Sequence, residues 1–350
     1  MFDVQKKKAP IEKECWDVRH VVMDVTYEGK NISDKINFHL LSATVNDNAS
    51  NVADDISITL DDRDEEWLKK NIVNSGDKVN LQAVSYNWNY KGEIYRMKYG
   101  EFYVDEPEYT VNPSTFSLNA LSVKANGNFR DVPHSNIWKS TTIKKIVDTI
   151  AKRNGYGIVY DTKRNYTIKE LEQSEQTDFE FLKSLCSDNG LVLKLYNTKI
   201  VIFDEATYEQ KEPVATITRN DIVGQINFRR KLTDCGYDKA VLKCKRSKKK
   251  GKITASFTRP GAKGNKVLAL HDSVDTQAEA LRVCQIKLRE KNKDEYTVSF
   301  TMSGLSKINS AEVVKLEGFG QFDGKYYIDS KNQSFIPTSA SFQAHRILGY

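Results

Sequence analysis

The sequence predicts a β-rich α+β fold: two related antiparallel β-barrels flanking a small inserted α/β module. Three observations lead there. Short alternating apolar and polar runs, punctuated by turn residues, fill both ends of the chain. Helical periodicity enters in the middle. One strand–turn–strand pattern occurs twice.

The first strand-rich stretch covers residues 20–125. Its runs are VVMDVTY (21–27), KINFHLLSATV (35–45), DISITL (55–60), DKVNLQAV (77–84), GEFYVDEPEYTV (100–111) and STFSLNALSV (114–123). Glu28-Gly29, Asn74-Ser75-Gly76, Lys91-Gly92 and Asn112-Pro113 separate them as turns. After Trp138 the period changes. Ile143, Ile146, Val147 and Ile150 fall at i, i+3, i+4, i+7, with Gly155 placed as a C-terminal cap. Thr177 and Glu180 form a capping box for a second helix with an apolar stripe of Phe181, Leu182 and Leu185. LVLKLY (191–196) and KIVIFD (199–204) then read as a hairpin. Strand texture returns at 213–232, 238–245 and 252–258. A helix capped by Thr276 and Glu279 follows, with Leu281, Cys284 and Leu288 expected on its buried face. Strands at 295–302, 311–319 and 324–330 complete the pattern. The expected domains are 1–135 (first barrel), 136–205 (α/β module) and 206–350 (second barrel, including the helix 276–290).

The repeat supports that division. SGDKVNLQAV (75–84) leads to GEFYVDE (100–106), and SAEVVKLEGF (310–319) leads to GKYYIDS (324–330). Both contain Val-x-Leu and then Gly-x-aromatic-Tyr-aliphatic-Asp. The hairpin YNWNYKGEIYR lengthens the first copy. Two similar hairpins could produce the match alone; with a helical stretch between them, two related barrels explain it better.

Composition narrows the function. The 39% hydrophobic and 29% charged fractions describe an ordinary globular chain. No apolar run approaches the ~20 residues of a membrane helix, and MFDVQKKKAP lacks a signal's apolar region. Five scattered cysteines without CxxC spacing read as reduced thiols. The net charge of +6 conceals an asymmetry: residues 229–266 hold fourteen Lys/Arg against two Asp, leaving −6 for the remainder. The densest run includes Lys243, Lys245, Arg246, Lys248, Lys249, Lys250 and Lys252 without aromatic residues between them. It reads as a solvated hairpin tip or a phosphate-contacting patch.

Motifs for chemistry are missing. The acids Asp61, Asp62, Asp64, Glu65 and Glu66 have Trp67 where a calcium loop needs Gly; a hydrated strand end fits them better than a metal or a glycosidase pair. GFGQFDGKYY (318–327) fails both dinucleotide and P-loop spacing. The five histidines never stand in metal-ligand spacing, and His39 is expected on a strand. No catalytic residue, metal or cofactor is expected. Tyr86, Trp88 and Tyr90 alternate, with Tyr95 on the return strand, so they are expected to share one hairpin face as core or as a protein contact.

Five stretches in this order carry a resemblance to a known family: ADDISITLDDRDEEW, YGEFYVDEPEYTVNP, EQSEQTDFEFLKSLCSDNGLVLKLYNTKIVIFD, the helix at 276–290, and AEVVKLEGFGQFDGKYYIDS. Together the chain resembles the baseplate hub proteins of contractile phage tails and tail-like bacteriocins, the late control protein D family. The resemblance implies two tube-like barrels per chain, a homotrimer, and partners in the tail tube, the central spike and other baseplate proteins. It implies a place in the baseplate of a particle assembled in the bacterial cytoplasm, with no membrane partner and with nucleic acid only as cargo in a channel. The chain stops at Tyr350 without a lysozyme-like or needle region, so the expectation is a structural protein and not an enzyme. The alternatives are a peptidoglycan-degrading tail enzyme and a nucleic-acid binder acting through 243–252.

Overall fold

The computed structural model describes residues 18–124, 128–245 and 252–350. Among them, one 13-stranded sheet runs through both ends of the chain. Its first part orders the strands Leu40–Asn48, Asp55–Asp61, Thr115–Leu121, Ile94–Thr110, Lys78–Tyr86 and His20–Tyr27. Its second part orders them Asn227–Arg230, Tyr296–Ser303, Thr338–Arg346, Gly324–Phe335, Val313–Leu316 and Ala215–Ile217. Numbered by place in the chain, both sets read 2-3-6-5-4-1. They are the first and second units below. One difference is at the last strand: His20–Tyr27 runs antiparallel to its neighbour, whereas Ala215–Ile217 runs parallel.

The repeat seen in the sequence therefore has a structural basis. Gly100 lies opposite Leu81, and Gly324 lies opposite Leu316. Each long strand then bulges at the same residue of the motif. The ladder skips Asp105 between Val104 and Glu106, and Asp329 between Ile328 and Ser330. A bulge bends the strand and strengthens its twist, so each long strand can serve two neighbours in succession. Eight residues beyond each bulged Asp stands a proline, Pro113 and Pro337, each after a cis peptide bond.

Each unit has its own apolar core. The first gathers Val25, Ile58, Leu81, Phe102 and Leu118 around Trp67. The second gathers Phe300, Val314, Tyr326, Ile328 and Phe342. No ladder among the described residues connects Leu40–Asn48 to His20–Tyr27, or Asn227–Arg230 to Ala215–Ile217. By hydrogen bonding, each unit is thus an open sheet with a seam.

Between the units lies an α/β module. Helix Ile143–Asn154 buries Ile143, Ile146, Val147 and Ile150, and ends at Gly155 with φ 68°. Helix Asp178–Asp188 begins with both bonds of the Thr177/Glu180 capping box. The strands Gly157–Asp161, Val192–Tyr196 and Lys199–Phe203 form its small sheet. A second inserted layer interrupts the second unit. Strands Lys239–Lys245, Lys252–Thr258 and Val267–Leu270 carry helix Gln277–Asn292.

Two expectations are corrected. Residues 35–45 are not one strand: Ser33–His39 is helical and the strand starts at Leu40, which places His39 at a helix end. Asn37 decides this. Its side chain accepts from Met23 N at 2.9 Å and donates to Met23 O at 2.7 Å, taking the place of a strand partner. In Gln277–Asn292 the buried face is Ala280, Cys284 and Leu288, and Leu281 is 46% exposed. It stands one position off a stripe of period four. No helix among the described residues is long and apolar enough to cross a membrane.

Candidate assembly interfaces

Four of the five acids are engaged locally, and Asp64 is exposed. Asp62 accepts from Trp67 N at 2.9 Å and Leu68 N at 3.1 Å, capping helix Glu66–Lys69. Asp61 accepts from Arg63 Nε at 2.7 Å, Glu66 pairs with Lys35 Nζ at 2.8 Å, and Glu65 pairs with Lys69. The capped turn presses Trp67 onto Phe116, stacked at 5.0 Å between centroids. Asp62 therefore holds a core tryptophan in place.

The four aromatic residues do not share a face. The strand ends at Tyr86, and Asn87 turns the chain with φ 54°. Tyr86 stacks on His20 at 4.8 Å. Trp88 covers Gly304, where an added Cβ would meet the indole Nε1 at 2.3 Å; the close approach requires glycine. Tyr95 packs on the first core under Lys307. Tyr90, 67% exposed, is the one of the four that faces solvent broadly. The alternation failed because positive φ at Asn87 breaks the two-residue period.

The two ends of the basic run lie on paired strands. Lys243 and Lys252 are exposed on strands Lys239–Lys245 and Lys252–Thr258, where Lys245 opposes Lys252. Arg246, Lys248, Lys249 and Lys250 lie outside the described residues.

The parts meet through an apolar cluster of Ala49, Val192, Phe203, Val313 and Tyr327 and through polar networks that were invisible in the sequence. Lys194, from the α/β module, donates to Asp47 at 2.5 Å, Asn48 O at 2.6 Å, Asp54 at 3.3 Å and Ser310 Oγ at 3.0 Å. Asp47 and Asp54 belong to the first unit and Ser310 to the second, so one ammonium ties three parts together. Burial pushes Asp54 up to about 7. Burial acts on Asp47 too, but the closer Lys194 and the bonds from Ser310 outweigh it and hold that carboxyl below its ordinary range.

A second network joins helix Glu205–Tyr208, helix Gln277–Asn292 and the last strand. His345 bonds Asp329 at 2.8 Å through Nδ1 and Glu209 at 3.3 Å through Nε2. Burial alone would lower the imidazole, but the facing carboxylates prevail and raise it to about 10. Glu205, Glu209 and His345 also have the mutual spacing of metal ligands. However, Arg289 Nη2 already sits 2.5 Å from Glu209 Oε1, so a cation occupies the acidic seat.

The two units meet edge to edge. Leu40–Asn48 pairs antiparallel with the end of Gly324–Phe335, Ser330 opposite Asn48 through Ser334 opposite Thr44. Asn332 Nδ2 donates to Asn46 Oδ1 across the joint at 2.5 Å.

No family model matches the chain. Among curated proteins it is 30% identical over 206 residues to the probable baseplate hub protein of Escherichia phage 186, covering 56% of this chain and 49% of that protein. It is 28% identical over 199 residues to the protein of the same description from Escherichia phage P2, covering 55% and 49%. The chain thus spans about half the length of the curated relatives it matches. Among solved structures, the 43 kDa tail protein of prophage MuSo2 from Shewanella oneidensis superposes with a TM-score of 0.72 at 16% identity, over 94% of this chain and 99% of the other. The fold is thus that of a phage tail protein, and by its sequence match this chain is similar to phage baseplate hub proteins.

Proposed function

We propose that the chain is the structural hub of a contractile particle's baseplate, placed between a sixfold tail tube and a threefold spike. In this reading residues 1–135 and 206–350 provide two tube-like barrels and 136–205 the module between them. Three chains then present six equivalent units to the tube and three copies to the spike. The observation that carries the reading is the repeated strand order 2-3-6-5-4-1, with its bulged aspartate in each copy. A ring can treat two units of one chain as equivalent only if they share a topology.

The proposed partners are a second and third copy, the tube protein, the spike protein and other baseplate proteins. In this reading the role is non-enzymatic, which the engagement of Asp61, Asp62, Glu65 and Glu66 in capping and ion pairing supports. The test is electron microscopy of the full chain with its particle's tube and spike proteins. The expected outcome is a threefold ring with pseudo-sixfold density between the two partners. A monomer that binds neither partner overturns the reading.

A further inference from the structure

We propose that copies of this chain join by strand pairing, with Asn227–Arg230 of one copy lying antiparallel to Glu106–Thr110 of the next. The inference rests on the hub reading above and specifies the surface by which copies meet.

One such joint is already present inside the chain. Beyond its bulge at Asp329, the long strand of the second unit takes Leu40–Asn48, the second strand of the first unit. The matching place in the first unit is the stretch beyond the bulge at Asp105. There the ladder with Lys78–Tyr86 ends at Tyr103, so Glu106–Thr110 pairs only with Thr115–Leu121. The counterpart of Leu40–Asn48 is Asn227–Arg230, a terminal strand of the sheet that pairs only with Tyr296–Ser303. Thus one chain carries a filled joint and both halves of an unfilled one. Among the described residues neither vacant edge takes a backbone hydrogen bond on its outer side.

Register follows from equivalence. Val45 opposes Ile56 and Phe228 opposes Val298; Ile56 and Val298 in turn oppose Ala120 and Ala344, the partners of Val104 and Ile328. Val45 and Phe228 therefore hold the same place. In the filled joint Asn46 opposes Asn332 and Asn48 opposes Ser330. Carried to the vacant joint, Arg229 opposes Glu108 and Lys231 opposes Glu106. Where the internal joint has neutral pairs, the external one has opposite charges, and Arg229, Glu106 and Glu108 are exposed. Such pairs contribute little energy at a rim but fix partner and register. Pro107 removes one donor from this edge, which discourages indiscriminate strand addition while leaving its carbonyl available.

Arg229 and Glu108 would form a non-hydrogen-bonded pair, with Cα atoms roughly 4.5 Å apart, inside disulfide range. Full-length Glu108→Cys and Arg229→Cys chains are mixed and oxidised, with each alone as control, and particle mass is measured on the same samples with and without tube and spike proteins. The expected result is a mixed disulfide that neither variant makes alone, and a closed three-chain species when one chain carries both cysteines. Trimers without that disulfide overturn this joint and leave the hub reading standing. Neither disulfide nor trimer, even with the partner proteins, overturns both.

Discussion

The two units share a strand order and differ in nearly everything hung upon it. Between its second and third strands the first unit has only residues 49–54, whereas the second unit inserts a sheet and helix over 231–295. Between the third and fourth strands the first unit has a capped turn bearing Trp67; the second has a shorter segment, 304–312. What persists is what the long strand needs: a glycine, a Tyr, an aliphatic residue and a bulged Asp. The lesson is that the bulge divides one strand between two neighbours, and so allows units of one strand order to be joined edge to edge. Loops can grow freely provided that division survives.

The largest effect should come from the feature found in one unit alone. Trp67 is 2% exposed and stacked on Phe116. Trp67→Ala should cost about 3–5 kcal/mol, measured by urea unfolding. Hydrogen exchange sharpens the comparison: amides of the first unit should lose most protection, with a smaller loss reaching Ser330–Ser334 through the shared ladder. A cost under about 1 kcal/mol would mean that the tryptophan is not the keystone of that core.

A second contrast lies at the joint. Pro107 and Lys331 hold equivalent places, two residues beyond their bulged aspartates. Lys331 is 2% exposed, with Nζ donating to Ser306 O at 2.9 Å. Burial, only partly offset by Asp47 and Glu312, lowers its pKa to about 8. The unfolded value is higher, so the folded charged form is penalised. That penalty is complete below pH 8 and fades as pH rises towards 10.5. Lys331→Met should therefore stabilise the protein below pH 8 by up to about 3 kcal/mol, less the loss of the bond to Ser306. Its advantage should shrink between pH 8 and 10.5. Unfolding midpoints of both proteins at pH 7 and 10 check this; an advantage that grows with pH contradicts it.

These residues also show what was legible from the chain alone. The motif residues were visible because the fold uses them locally: a glycine opposite an aliphatic residue, an Asp at a bulge, a Pro at a turn. Helices 143–154 and 178–188 were visible because their caps and stripes are also local. Lys194 was not legible, since its partners lie 116 to 147 residues away and no periodicity marks an ion network. Trp88 misled for a related reason: one left-handed residue, Asn87, cancels the alternation that grouped it with Tyr86 and Tyr90. The vacant edges became readable only once the strand order was known, although their charges had stood in the sequence throughout.

The smallest expected effect tests the equivalence residue by residue. Gly76 N donates to Val104 O at 2.7 Å, and Ala311 N donates to Ile328 O at 2.9 Å. Both have left-handed backbones, φ 90° and 62°. An L side chain there costs roughly 1–2 kcal/mol, partly offset by the lower entropy of the unfolded chain. Gly76→Ala should therefore destabilise by about 1 kcal/mol. Ala311→Gly relieves the strain but gains unfolded-state entropy and loses a methyl that is 9% exposed, worth about 0.8 kcal/mol. It should change stability by less than about 0.5 kcal/mol. Chemical denaturation resolves the asymmetry: equal losses at both sites would mean that the matching turns are held by different forces, and that the equivalence extends to topology but not to individual residues.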